Sequence, residues 1–222
     1  MEVIRTMGRD ERRGARKDRN TRSTRVPVLG YYLIITDTEE TEKNYFTGLR
    51  KSIPAAMQDR IVIKVVKANT SDMVDKCYEM YSREPQYRIP WIVFDRDEVN
   101  DFDKIISNAS EKGINAGWSN PCIEIWFSAY FSEMPSSNDS VACCRNFSEL
   151  FRRNTGTEYS KSDSEIYEKL CKYGNEDEAI RIAEKKYKEL SDIYEKPSDM
   201  CPVTTIFMLV KEIKSKVSTD DK

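Results

Sequence analysis

IPWIVFDRDE, residues 89–98, is an apolar run from Ile89 to Phe94 that ends in three carboxylates, Asp95, Asp97 and Glu98. A run without polar alternation cannot be half exposed. It fits a central strand covered on both faces, as in a parallel sheet. Two upstream segments share the pattern: VLGYYLIIT (28–36), which runs into Asp37, Glu39, Glu40 and Glu42, and IVIKVV (61–66). Between and after them the spacing changes to that of helices. Tyr45, Phe46, Leu49 and Ile53 mark one helix, with Thr38 or Thr41 as its N-cap. Met73, Val74, Cys77, Met80 and Tyr81 mark a second, and Phe102, Ile105, Ile106 and Ala109 a third, closed by Gly113 before a short strand INAGW (114–118). Alternating strands and helices predict an α/β fold: a mostly parallel four-stranded sheet flanked by helices.

Beyond Asn120 the pattern is helical, with helices expected in PCIEIWFSAYF (121–131) and at about 143–153, 163–173, 175–194 and 199–214. The serine- and proline-bearing stretch 132–140 reads as a loop or hinge. The chain therefore divides into an arm (1–26), an α/β core (27–131) and a C-terminal helical addition packed on that core (132–222). The arm is basic and poor in apolar residues. Its first 25 residues hold nine Lys or Arg against four Asp or Glu, while the whole chain has 36 against 38. Such a segment cannot offset its ordering entropy by burial, so a flexible arm is expected. Arg12, Arg13, Arg16, Lys17 and Arg19 are its candidate phosphate contacts.

The chain has no histidine. Ser-His-Asp and Cys-His nucleophile systems, HExxH zinc sites and histidine-ligated haem are thereby excluded, and acid, base or metal chemistry falls to Asp, Glu, Lys, Tyr or Cys. The six cysteines lack CxxC spacing and read as reduced core residues. With neither a signal-peptide pattern nor a run of about 20 apolar residues, a cytoplasmic protein without membrane contact is expected.

Ligands of open parallel sheets bind beyond the carboxyl ends of the strands. This sequence places acid there. Asp95 and Asp97, two apart after a strand, offer hard oxygen ligands for Mg²⁺ or Mn²⁺, and a carboxylate from the end of the first strand reaches the same crevice if the two strands are neighbours. That layout suits metal-assisted phosphodiester hydrolysis. Aspartates after strands also serve as turn formers and helix caps, a reading that stays open at this point.

Thr41-Glu42-Lys43-Asn44-Tyr45-Phe46 after the first strand, FDRDE (94–98) and SNPCIEIWFSAYF (119–131), with the Lys196-Pro197-Ser198 to Thr205 segment and the arginine-rich start, closely resemble the RloB family of defence-associated proteins. The resemblance implies a Toprim-like fold, in which an acidic residue after the first strand acts with a DxD after the third. Those roles carry over to Asp37, Asp95 and Asp97. The family usually has glutamate and glycine where this chain has Asp37 and Thr38, and two histidines frequent in the family are absent.

The expected activity is that of a Mg²⁺- or Mn²⁺-dependent nuclease in an anti-phage system, acting on DNA or tRNA beside an ABC-type, RloA-like ATPase. Asp95, Asp97 and Asp37 would hold metal, Asp37 and then Glu42 would serve as base or further ligand, and Glu124 would complete the site. Lys161, through a YxK-like match with Tyr159, would stabilise phosphate charge. The alternative is a catalytically inactive regulatory or assembly subunit that binds the ATPase or nucleic acid.

Overall fold

The computed structural model describes residues 29–66, 70–83, 89–97 and 99–220. The expected basic arm, with Arg12, Arg13, Arg16, Lys17 and Arg19, and also Glu98, lie outside the described residues. The strands are β1 (Tyr32–Thr36), β2 (Ile61–Val65), β3 (Ile89–Asp95), β4 (Asn115–Asn120) and β5 (Val203–Thr204). The helices are α1 (Thr41–Ser52), α2 (Thr70–Arg83), α3 (Phe102–Glu111), α4 (Glu124–Ser128), α5 (Ser140–Thr155), α6 (Ile166–Tyr173), α7 (Glu176–Ser191) and α8 (Ile206–Asp220).

The sheet runs β2-β1-β3-β4-β5, with the first four strands parallel and β5 antiparallel to β4. It is an α/β architecture consistent with the Toprim-like fold, with one strand more than predicted. The extra strand comes from a stretch expected to begin the last helix at residue 199. Pro202 has no N–H to continue a helix, and Ser119 and Thr204 share a hydroxyl hydrogen bond of 3.1 Å across the β4–β5 pair, so α8 starts only at Ile206. The helix expected after Pro121 is likewise shorter, five residues from Glu124.

Side chains alternate across the sheet as the two-residue period of a strand demands. Tyr32, Ile34, Trp91 and Val93 face a core shared with α1, α4, α5, α6, α7 and α8, whereas Leu33, Ile35, Ile92 and Phe94 face one shared with α2 and α3. Both faces of β1 and β3 are therefore buried, which is why their sequences show no polar alternation. The C-terminal helices cover one face: Ile206, Leu209, Val210 and Ile213 of α8 are fully buried there, and the Tyr32 hydroxyl donates to Glu212 Oε1 at 2.7 Å. Gly113, at φ +68°, provides the left-handed turn that stops α3 before β4.

The strand order fixes where a ligand can sit. From β1 the chain moves outward to β2, and from β3 it moves the other way to β4, so the connections diverge between the adjacent carboxyl ends of β1 and β3. That divergence opens a crevice at the edge of the sheet.

Candidate metal centre and its thiol neighbours

A cleft of about 800 Å³ opens at this crevice, and Asp37, Glu42, Asp95, Asp97, Glu124 and Lys161 all line it. Asp95, the last residue of β3, is held by the Ile123 backbone N–H, which donates to Oδ2 at 3.0 Å. Its other oxygen is buried without a partner, and so is Oδ1 of Asp37, the residue after β1. Glu42 lies in the first turn of α1, almost fully buried, and accepts a short hydrogen bond from the Thr38 hydroxyl. Glu124, the first residue of α4, is 1% exposed, and its Oε1 accepts from the Tyr159 hydroxyl at 3.0 Å.

The expected N-caps of α1 are used otherwise. Thr38 spends its hydroxyl on Glu42, and Thr41 reaches the Lys161 carbonyl at 3.5 Å, so the cap position passes to Glu40 without a side-chain bond. The Thr41 contact ties the α5–α6 loop to the start of α1 and keeps Lys161 at the cleft. Asp97 is exposed at the rim, where its Oδ1 accepts from Ser140 at the start of α5 at 3.0 Å.

Crowding carboxyl groups into one crevice changes how Asp37, Glu42 and Asp95 ionise. Burial, and then the neighbouring charge of Glu42, pushes the Asp37 carboxyl up to about 7. Burial raises Asp95 well above the usual carboxylate range, helped by Glu42, Glu124 and Asp37. Glu42 is raised chiefly by burial and further by Glu124, against the opposing effects of the Thr38 bond and Lys161. Lys161 is the one cation lining the cleft among the described residues. Although its own burial works against its charge, Glu124 and the nearby thiols and carboxylates leave its pKa raised.

Two unpartnered buried carboxylate oxygens beside two further acids form a donor set for a hard divalent cation, and such a cation would offset the crowding. Among the described residues no three of these acids bring ligand oxygens within 4.8 Å of one another, so a cation here would take one or two carboxylates and complete its shell with water, as Mg²⁺ does. Of the sequence-predicted residues, Asp37, Glu42, Asp95 and Glu124 feel one another's charge, Asp97 stands at the rim on its own hydrogen bond, and Lys161 lines the same cleft.

Sequence reasoning missed two features. Tyr159 entered only as half of a weak motif, yet it orients Glu124. The cysteines, read as core, include an exposed Cys171 and a cluster at the site: donor atoms of Cys122, Glu124 and Cys144 lie within 4.8 Å of one another. The available signal was Cys122 standing two residues before Glu124, with the adjacent pair Cys143-Cys144 downstream.

Fold and site together define an α/β protein of Toprim-like architecture with an acidic cleft at the switch point of its sheet. The RloB-like family model matches residues 32–213, most of the chain, and the protein belongs to that family. No curated protein and no solved structure matches it. Among the described residues no helix is long and apolar enough to cross a membrane.

Proposed function

We propose that the protein is a Mg²⁺- or Mn²⁺-dependent phosphodiesterase acting on nucleic acid, the nuclease component of an anti-phage system that includes an ABC-type ATPase. The observation that carries this reading is the pair of partnerless buried oxygens, Asp37 Oδ1 and Asp95 Oδ1, at the adjacent ends of β1 and β3. Asp95 and Asp37 would hold the cation, with Glu42 and Glu124 beside them and Asp97 joining from the rim. Bound there, the cation would neutralise phosphodiester charge and favour attack by water. Asp37 would act as a further ligand or as the base that takes a proton from the attacking water, with Glu42 next in line for the base. Lys161 counters the charge of the phosphate, and Tyr159 holds Glu124 in place.

The second reading, an inactive regulatory or assembly subunit, is favoured by Thr38. Its hydroxyl engages Glu42, which binds one acid of the site to the protein itself. Incubating the purified chain with duplex DNA, single-stranded DNA, RNA and tRNA in Mg²⁺ or Mn²⁺, with and without the ATPase, separates the two. Metal-dependent cleavage that Asp95→Asn abolishes supports the nuclease. Absence of cleavage in every arm, with the ATPase bound, supports the subunit.

A further inference from the structure

Beside Glu124 the chemistry changes from oxygen to sulfur. Cys122 is 2% exposed and stands two residues before the start of α4, and Cys143 and Cys144 lie in the first two turns of α5. Cys122 and Cys143 pack with Ile125 in a small cluster of their own, with Cys144 against it. Cys143 meets the Cys122 thiol and also donates to the Ser137 carbonyl at 3.6 Å, and it lies outside the closest group of donors. The remaining donors, the sulfurs of Cys122 and Cys144 and a carboxylate oxygen of Glu124, mutually approach within 4.8 Å.

We infer that Cys122, Cys144 and Glu124 form a second cation site, specific for a thiophilic divalent ion of the Zn²⁺ class and distinct from the hard-ion site of the acidic cleft. Two sulfurs and one carboxylate are a donor set that Mg²⁺ rejects and Zn²⁺ accepts. In a tetrahedral Zn²⁺ site with Zn–S bonds of about 2.3 Å, ligand atoms stand roughly 3.8 Å apart, so donors already within 4.8 Å need only side-chain adjustment. Three protein ligands leave a fourth position for solvent or another ligand. The sites share Glu124, so Zn²⁺ on the sulfurs draws that carboxylate from the acidic cleft. Inhibition of Mn²⁺-dependent cleavage by Zn²⁺ would follow from this, and that consequence alone rests on the proposed nuclease activity.

The test uses the full chain, reduced, stripped with EDTA and titrated with Co²⁺ under argon. The expected result is a near-ultraviolet sulfur-to-cobalt charge-transfer band with tetrahedral visible bands, saturating at one equivalent and bleached by one equivalent of Zn²⁺. Cys144 is half-buried, so Cys144→Ser tests the site with little risk to folding and removes the band. Cys171→Ser, at an exposed thiol outside the group, leaves it unchanged. Asp95→Asn also leaves the band while weakening Mn²⁺ binding measured by calorimetry, so failure of the thiol site and failure of the acidic site give different signatures. No band at one equivalent, or a band that survives Cys144→Ser, overturns the inference.

Discussion

The Tyr159 hydroxyl donates to Glu124 Oε1 at 3.0 Å, joining the loop between α5 and α6 to the first residue of α4. The tyrosine ring is held edge-on against Phe147, with ring centres 4.7 Å apart, and also meets Phe151. Burial, and then the charge of Glu124, keep the phenol protonated and therefore a donor. Lys161 lies two residues further on, so the same contact fixes the approach of the cleft's cation.

Tyr159→Phe keeps the ring packing and deletes the donor, leaving a buried carboxylate oxygen short of a partner. The expected cost is about 1–3 kcal/mol of stability, read from urea melts. Cleavage should fall several-fold without loss of binding to the Lys161 side. Unchanged stability would show that Glu124 is held by something other than this bond.

Asp95 and Asp97 should separate in single variants, although they stand two residues apart. Asp95 is half-buried with one oxygen fully enclosed, oriented by Ile123 and surrounded by other acids, whereas Asp97 is exposed and bonded to Ser140. Asp95→Asn should abolish metal-dependent cleavage and raise the Tm of chelated protein by relieving repulsion. Asp97→Asn should only weaken metal affinity and leave Tm within a degree or two. Equal loss of activity in both would mean that the rim aspartate moves inward with metal.

The acidic crevice also sets how stability depends on pH in EDTA. Asp37, Asp95 and Glu42 all have pKa values raised above those of the unfolded chain, so between the unfolded carboxylate range and about 7 the native state binds more protons. Stability contributed by these groups is therefore present at low pH and lost as pH rises toward and past neutrality. Tm of chelated protein should be higher near pH 5 than near pH 7.5, and Mn²⁺ should restore it at the higher value. A Tm that climbs with pH in EDTA would contradict the crowding.

The sheet was legible because β1 and β3 are buried on both faces, and burial leaves an unbroken apolar run such as Leu33–Ile35 or Trp91–Phe94. β5 was not legible, since two residues after a proline, Val203 and Thr204, acquire strand geometry only from their pairing with β4. The acids Asp37 and Asp95 could be placed because strand ends converge at a predictable edge. Which acid would be buried could not, because exposure of Asp97 and burial of Glu42 depend on Ser140 and Thr38, short polar residues with no periodic signature. The Cys122–Cys144 approach depends on how α5 lies against α4, a packing relationship between segments more than twenty residues apart.

Gly48 sits where α1 crosses α6, and a Cβ there would overlap Tyr167 Cβ. Gly48→Ala gains roughly 1 kcal/mol of helix propensity but forces the two helices apart, at about 1–3 kcal/mol for overpacking. Net destabilisation is expected in denaturant melts. Because α1 also carries Glu42, activity should drop more than stability alone accounts for. A more stable variant would show that Tyr167 can step aside.

Asp37 divides the two readings of function. Its carboxyl reaches one methylene less far than a glutamate's would, yet it faces Asp95 and Glu42 from the end of β1 and keeps one oxygen without a partner. A nuclease adapted to the shorter side chain should lose all cleavage in Asp37→Ala and retain part of it, better in Mn²⁺ than in Mg²⁺, in Asp37→Glu, since Mg²⁺ demands closer octahedral geometry. Thr38→Gly removes the hydroxyl that engages Glu42 and frees that acid for a cation, so Asp37→Glu with Thr38→Gly should bind Mn²⁺ more tightly than either single variant. In an inactive subunit the single variants change neither cleavage nor ATPase binding, and only the double variant gains Mn²⁺ affinity in calorimetry. Loss of cleavage in Asp37→Ala with Tm preserved in EDTA would assign Asp37 to the chemistry. If cleavage persists in Asp37→Ala but disappears in Glu42→Gln, the acid of the first turn that matters is Glu42.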